Sequence, residues 1–225
     1  MGVSYRLAVL THGQMKTLPQ TLESFDEWVT QPPTEQVLVV DGSALGMDEI
    51  VMTDWGSRFN TVRMLIPQQG FCGATSQLWE LAREPGVDFI FWLEADFIFK
   101  RLIHVERMAE ILEEHSHIKQ VSLLRNAVND EEKRAGGLVP AHPDWWERHL
   151  APWAHMTQTA YWTTNPALMS RHFMLKNDWP EGPFCEGKFT HQVRAADFRN
   201  RFAVLGLGNE WMDHIGHRDG SGTGY

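Results

Sequence analysis

Two acids spaced by one residue close an apolar run, Phe89-Ile-Phe-Trp-Leu-Glu94-Ala-Asp96. Side chains on a strand repeat every two residues, so Glu94 and Asp96 leave the strand end toward one side, and burying two carboxylates is costly unless something pairs with them. A hard divalent cation, magnesium or manganese, would do so, with a substrate's phosphates completing its shell. Taken alone, the pair fits equally a helix cap or acids facing water. Asp41, in Val39-Val-Asp41-Gly-Ser, is a second strand-end acid, for which an Asx turn is the plainer account. Thr11-His12-Gly13 ends an earlier apolar run. In a parallel sheet, all three strand ends open on one edge, where a nucleotide normally sits.

Helices between the strands would create that edge. Residues 5–10 form a short apolar run, and Leu18, Leu22, Phe25 and Trp28 follow at helical spacing. Pro32-Pro33 breaks the chain before a β-branched strand at 36–40, and a weaker strand at 61–66 leads into the Gly70-Phe-Cys-Gly73 loop and a helix over 74–83. The strand at 87–93 carries the acid pair, an amphipathic helix covers 104–114, and further strands fall at 120–124 and 202–205. Repeated strand-helix alternation predicts an α/β fold, a mostly parallel, Rossmann-like central sheet flanked by helices. Residues 129–134 read as a charged surface turn, and Asn165-Pro166 as a helix start, with Asn165 the cap.

The 225 residues suffice for a substantial core without staples. A formal charge of -9 excludes the broad positive field of a non-specific nucleic-acid binder. No apolar run approaches the roughly 20 residues of a bilayer span, and the first residues lead directly into a strand-like run with no signal-peptide core. A soluble, cytoplasmic protein is the expectation. Cys72 and Cys185 fit no metal or redox spacing, so two free thiols are the default. The sequence leaves a bridge open.

The order of these motifs resembles the nucleotide-sugar glycosyltransferases of the GT-A fold, in particular the large inverting family with a single Asp-x-Asp-type metal motif. Leu7-Ala-Val-Leu-Thr-His-Gly with Leu18-Pro-Gln-Thr-Leu-Glu-Ser is similar to that family's first strand and helix, Val39-Val-Asp41-Gly-Ser to its second-strand acid, and Gln69-Gly70-Phe-Cys-Gly73 to the loop beside the donor. Leu93-Glu94-Ala-Asp96 resembles the metal motif, with Glu in place of the first Asp. Phe184-Cys-Glu186-Gly-Lys-Phe is similar to the acidic segment that supplies a catalytic base, and Trp211-Met-Asp-His214-Ile-Gly-His217 to a C-terminal segment that supplies a metal ligand. Asp41 lacks a preceding Asp, and Glu186 a following one.

The resemblance implies one domain over 1–225, with a nucleotide-sugar-binding half at about 1–100 and an acceptor-binding half at about 101–225. It implies Thr11, His12, Gly13, Asp41, Gly70, Gly73, Glu94 and Asp96 at the donor, a manganese or magnesium ion on Asp96 with His214, Glu94 or His217, and Glu186 as general base. Arg218 and the Gly-rich tail could close over a diphosphate, or simply fray. The donor is expected to be UDP-linked and the acceptor a glycan, protein, lipid or modified nucleic-acid base. A nucleotidyltransferase would need a Gly-rich basic loop after the first strand, which residues 11–21 do not supply. A non-catalytic, Trp-rich glycan binder leaves Asp41, Glu94, Asp96 and Glu186 unexplained. Of Trp145, Trp146, Trp153, Trp162 and Trp179, one or two are expected to line a cleft and the rest to pack. The scattered histidines, His115, His117, His142, His149 and His155 among them, are expected on the surface or in the core rather than on a metal.

Overall fold

Four runs from the first half of the sequence become neighbouring parallel strands. In the computed structural model, which describes residues 2–11, 17–42, 56–150 and 153–216, β1 (Tyr5–Thr11), β2 (Glu35–Asp41), β3 (Thr61–Leu65) and β4 (Phe89–Glu94) lie in the order β3-β2-β1-β4, all paired in parallel. The sheet continues through β9 (Ala167–Ser170), β6 (Ile118–Ser122), β10 (Arg201–Leu205), β8 (His155–Gln158) and β7 (Glu147–His149), making nine strands among the described residues. The pairings set β8 and β9 against the direction of the other seven. The mostly parallel, helix-flanked sheet expected from the alternation is what forms.

Strand periodicity divides the core between the two faces. Tyr5, Leu7 and Val9 of β1, with Phe89, Phe91 and Leu93 of β4, face one cluster, which Leu18, Leu22 and Phe25 of α1 (Thr17–Trp28) complete. Ala8, Leu10, Ile90 and Trp92 face the other, against Leu78 and Trp79 of α2 (Gly70–Ala82). Burying each such side chain contributes about 1.5–3 kcal/mol, so the two central strands are the part of the fold least free to shift. Val105, Met108, Ile111 and Leu112 of α3 (Val105–Glu114) join the α1 side. A two-stranded antiparallel ribbon stands apart from the sheet, formed by β5 (Phe97–Phe99) and β11 (Met212–His214), with His214 opposite Phe97.

Several expectations are corrected. Residues 129–134 lie at the surface as expected but form a helix rather than a turn: Asn129 caps α4 (Asp130–Ala135) by accepting from the Glu132 amide at 2.8 Å, and Glu132 alone of them is buried, at 3% exposure, where it binds Arg125. A short helix, α5 (Leu138–Ala141), follows. Asn165-Pro166 starts no helix, because the carbonyl of Pro166 accepts the Leu123 amide and draws the next residues into the sheet as β9, between β4 and β6. The helix begins later, as α6 (Arg171–Lys176), with Ser170 accepting from the Phe173 amide. Helix α2 starts at Gly70, so Gly70 and Gly73 lie in its first turn rather than in a loop before it.

Cys72 and Cys185 are not free thiols. They form a disulfide between α2 and α7 (Cys185–Ala196), with Cα atoms 5.8 Å apart across a sequence separation of 113. Spacing alone gave no sign of it, since the pair meets only when the two helices pack on one face of the sheet. Closing so long a loop restricts the unfolded chain. The double substitution Cys72→Ala with Cys185→Ala is expected to lower stability by about 2–4 kcal/mol, read as a shifted midpoint in urea unfolding.

Candidate functional site

The strand-end carboxylates meet acids and an imidazole from distant parts of the chain. Glu94 ends β4, and Asp96 sits in the turn into β5, where its backbone carbonyl accepts the Ile215 amide at 2.8 Å. This bond and the β5–β11 ribbon bring His214 Nε2 to 3.1 Å from Asp96 Oδ2. Any side chain at Gly216 would run into the same carboxylate, so only glycine lets the backbone after His214 pass so close. Asp96 Oδ1 and Glu94 Oε1 are buried with no hydrogen-bond partner among the described residues. Burial first, then the neighbouring charge of Asp96 and more weakly that of Glu186, pushes the Glu94 carboxyl well above the usual carboxylate range, against a lowering contribution from a hydrogen bond to Thr164.

Glu186 lies in the first turn of α7. Its Oε1 accepts from both the amide and the hydroxyl of Thr164, each at 2.8 Å, so the carboxylate is held in one orientation. Thr164, which donates to Glu186, also lies close enough to Glu94 to favour its charged form. No local motif marks this threonine, since its role depends on the segment between β8 and β9.

Asp41 ends β2 at 1% exposure, with Oδ1 accepting the Gln69 amide at 2.7 Å and Oδ2 buried without a partner among the described residues. It ties the second strand to the start of α2. Thr11, at the end of β1, likewise has an unpartnered buried hydroxyl among the described residues. Unsatisfied buried polar atoms are costly, and while the others among the described residues are scattered through the fold, Thr11 Oγ1, Asp41 Oδ2, Glu94 Oε1 and Asp96 Oδ1 gather at the C-terminal ends of β1, β2 and β4. A polar ligand would satisfy them. Gly70 (φ +72) has space around it, whereas a side chain at Gly73 would press on Gln69; both glycines shape the helix start next to Asp41. His12, Gly13, His217 and Arg218 lie outside the described residues.

A second line of support holds the ribbon, and no sequence motif announced it. Asn126 Oδ1 accepts the His214 amide at 2.9 Å, its own amide bonds the Met212 carbonyl, and Arg125 bridges to Met212. Arg125 is locked in turn by Glu132 at 2.8 Å. Burial by itself raises the Glu132 carboxyl, but hydrogen bonds from Arg125 and from the backbone of Val128 and Asn129 outweigh it and bring the group down to about 2. In the unfolded chain the group titrates near 4.3, so its contribution is complete above about pH 4.5 and is lost as the pH falls toward 2. We expect Glu132→Gln to flatten the acid side of the stability profile, measured as thermal midpoint against pH.

The tryptophans of the second half mostly pack. Trp162 (2% exposed) and Trp179 (6%) surround Trp79 in the core, and Trp153 stacks under Arg107. His115, His117, His149 and His155 gather around a cavity of about 540 Å³ at the start of β6 and β10, while His142 stacks on Trp145. Among the described residues no three His, Cys, Asp or Glu side chains converge as a ready-made metal cluster, either here or at Asp96. Asp96 and His214 supply two donors whose oxygen and imidazole nitrogen suit manganese or magnesium, leaving positions for a phosphate. The unpartnered Asp96 Oδ1 fits the same role.

The parallel β3-β2-β1-β4 unit, the acid pair leaving β4 and the ribbon behind it make up a GT-A fold. Two solved proteins share it closely. A structure of GalNAc-T7 with UDP, GalNAc and Mn2+ superposes with a TM-score of 0.66 at 11% identity, over 97% of this chain and 45% of that one. Staphylococcus aureus TarS (residues 1–349) superposes at 0.64 in its complex with UDP-GlcNAc and at 0.61 with UDP, both at 15% identity, covering 96% and 94% of this chain and 59% and 60% of that one. This chain thus spans about half the length of these neighbours. No family model matches the sequence, and no curated protein matches it. No helix among the described residues is long and apolar enough to cross a membrane.

Proposed function

We propose that this chain is a metal-dependent, inverting glycosyltransferase that moves one sugar from a UDP-linked donor to an acceptor hydroxyl. The observation that carries the reading is the meeting of Glu94, Asp96, His214 and Glu186, from three separate stretches of sequence, at the strand-end edge of a GT-A sheet. The neighbours' UDP, UDP-GlcNAc and Mn2+ support the donor class. Residues 1–100 form the donor half in this reading, and 101–225 the acceptor half.

Asp96 and His214 would hold a manganese or magnesium ion, with Glu94 or His217 assisting, and such an ion when bound stabilises the charge building on the leaving diphosphate. Asp41 and Thr11 bind the nucleoside through their unpartnered oxygens, and the start of α2 lies beside them. Glu186 takes the proton from the acceptor hydroxyl. Thr164 holds its carboxylate toward that task, so that attack comes from the face opposite the leaving group and the anomeric centre inverts. The test is release of UDP from a panel of UDP-sugars by the purified protein with manganese. Absence of both release and binding across the whole panel, with and without metal, would overturn the proposal.

A further inference from the structure

Phe184 combines two properties that an ordinary surface residue does not. Its φ of 58° is left-handed, making it a positive-φ residue other than glycine, and its side chain is 85% exposed. A bulky residue in that region is strained, and such strain persists where the surroundings over-determine it, most often at binding sites. The surroundings here are covalent. Cys185 is pinned to α2 by the disulfide, the Phe184 carbonyl accepts the Lys188 amide at 3.0 Å, and Glu186 is held by Thr164. Nothing in the packing calls for an aromatic ring, because glycine would adopt the same backbone without strain.

Resting on the glycosyltransferase reading, we propose that Phe184 is the acceptor platform, a rigidly presented ring on which the apolar C–H face of an acceptor pyranose stacks beside Glu186. An aromatic face complements such a sugar face, and Phe184 stands at the N-cap of α7, the helix whose first turn carries the candidate base. The acceptor class is therefore a pyranoside, whether a free glycan or one carried on a larger molecule. The buried Trp162 and Trp179 leave this task to another ring. Phe198, exposed at 74%, lies beyond α7 near Asp197, away from Glu186.

Saturation-transfer NMR tests the assignment with methyl glucoside, methyl galactoside and methyl N-acetylglucosaminide in the presence of UDP and manganese. Wild type is expected to bind at least one of them, Phe184→Gly to weaken that binding about tenfold, and Phe184→Trp to keep it. The thermal midpoint of Phe184→Gly should equal or exceed that of wild type, which separates loss of the ring from loss of fold. Unchanged glycoside binding in Phe184→Gly, a change in its oligomeric state instead, or no glycoside binding by a wild type that binds UDP would each overturn the platform. Failure of wild type to bind UDP would instead strike the donor reading on which it rests.

Discussion

Glu186→Gln should bind a UDP-sugar as wild type does and yet transfer it at least a hundredfold more slowly. The substitution keeps the shape of the side chain and an oxygen for the two Thr164 hydrogen bonds, so the first turn of α7 has no cause to move. What it removes is the ability to accept a proton. General-base contributions amount to about 10² to 10⁴ in rate, and the loss belongs in turnover rather than in the donor's binding constant. Single-turnover transfer alongside donor titration separates the two. Wild-type turnover in Glu186→Gln would move the base to another group.

Asp96→Ala should abolish manganese-dependent hydrolysis of a UDP-sugar and weaken UDP binding in manganese to the level seen without metal. Asp96 is where the β4 turn meets the β11 ribbon through two separate contacts, the backbone bond to Ile215 and the side-chain contact with His214. The alanine keeps the backbone bond, so the ribbon should stay docked. Only the side-chain donor is lost. Because removing a single charged stabiliser of a leaving group commonly costs about 10² to 10³ in rate, the effect should exceed that of substituting Asp41, which also carries a structural bond to Gln69. Circular dichroism and the thermal midpoint check that folding is retained.

Sequence legibility followed the range of the interactions. The acid pair, Asp41 and the parallel strands announce themselves because apolar runs ending in turn chemistry are local signals, and alternate residues of β1 and β4 did sort onto opposite faces. Strand β9 did not. Ala167-Leu-Met-Ser has no period that tells strand from helix, and its place between β4 and β6 comes from tertiary pairing. Glu132 read as a surface charge because its partner, Arg125, becomes visible only when the segment folds back on it. Thr164 and Asn126 are ordinary polar residues in sequence, and their placement against Glu186 and His214 depends on several elements at once. The tryptophan excess pointed toward the acceptor half, but large rings are also what a core accommodates, and Trp79, Trp162 and Trp179 fill it.

Titration calorimetry of UDP into the wild-type protein, with manganese and then with a chelator, tests the central claim most directly. The account predicts one UDP per chain in manganese and a marked loss of affinity when the metal is withdrawn. No heat of binding in either condition, together with no binding of other nucleoside diphosphates, would contradict it.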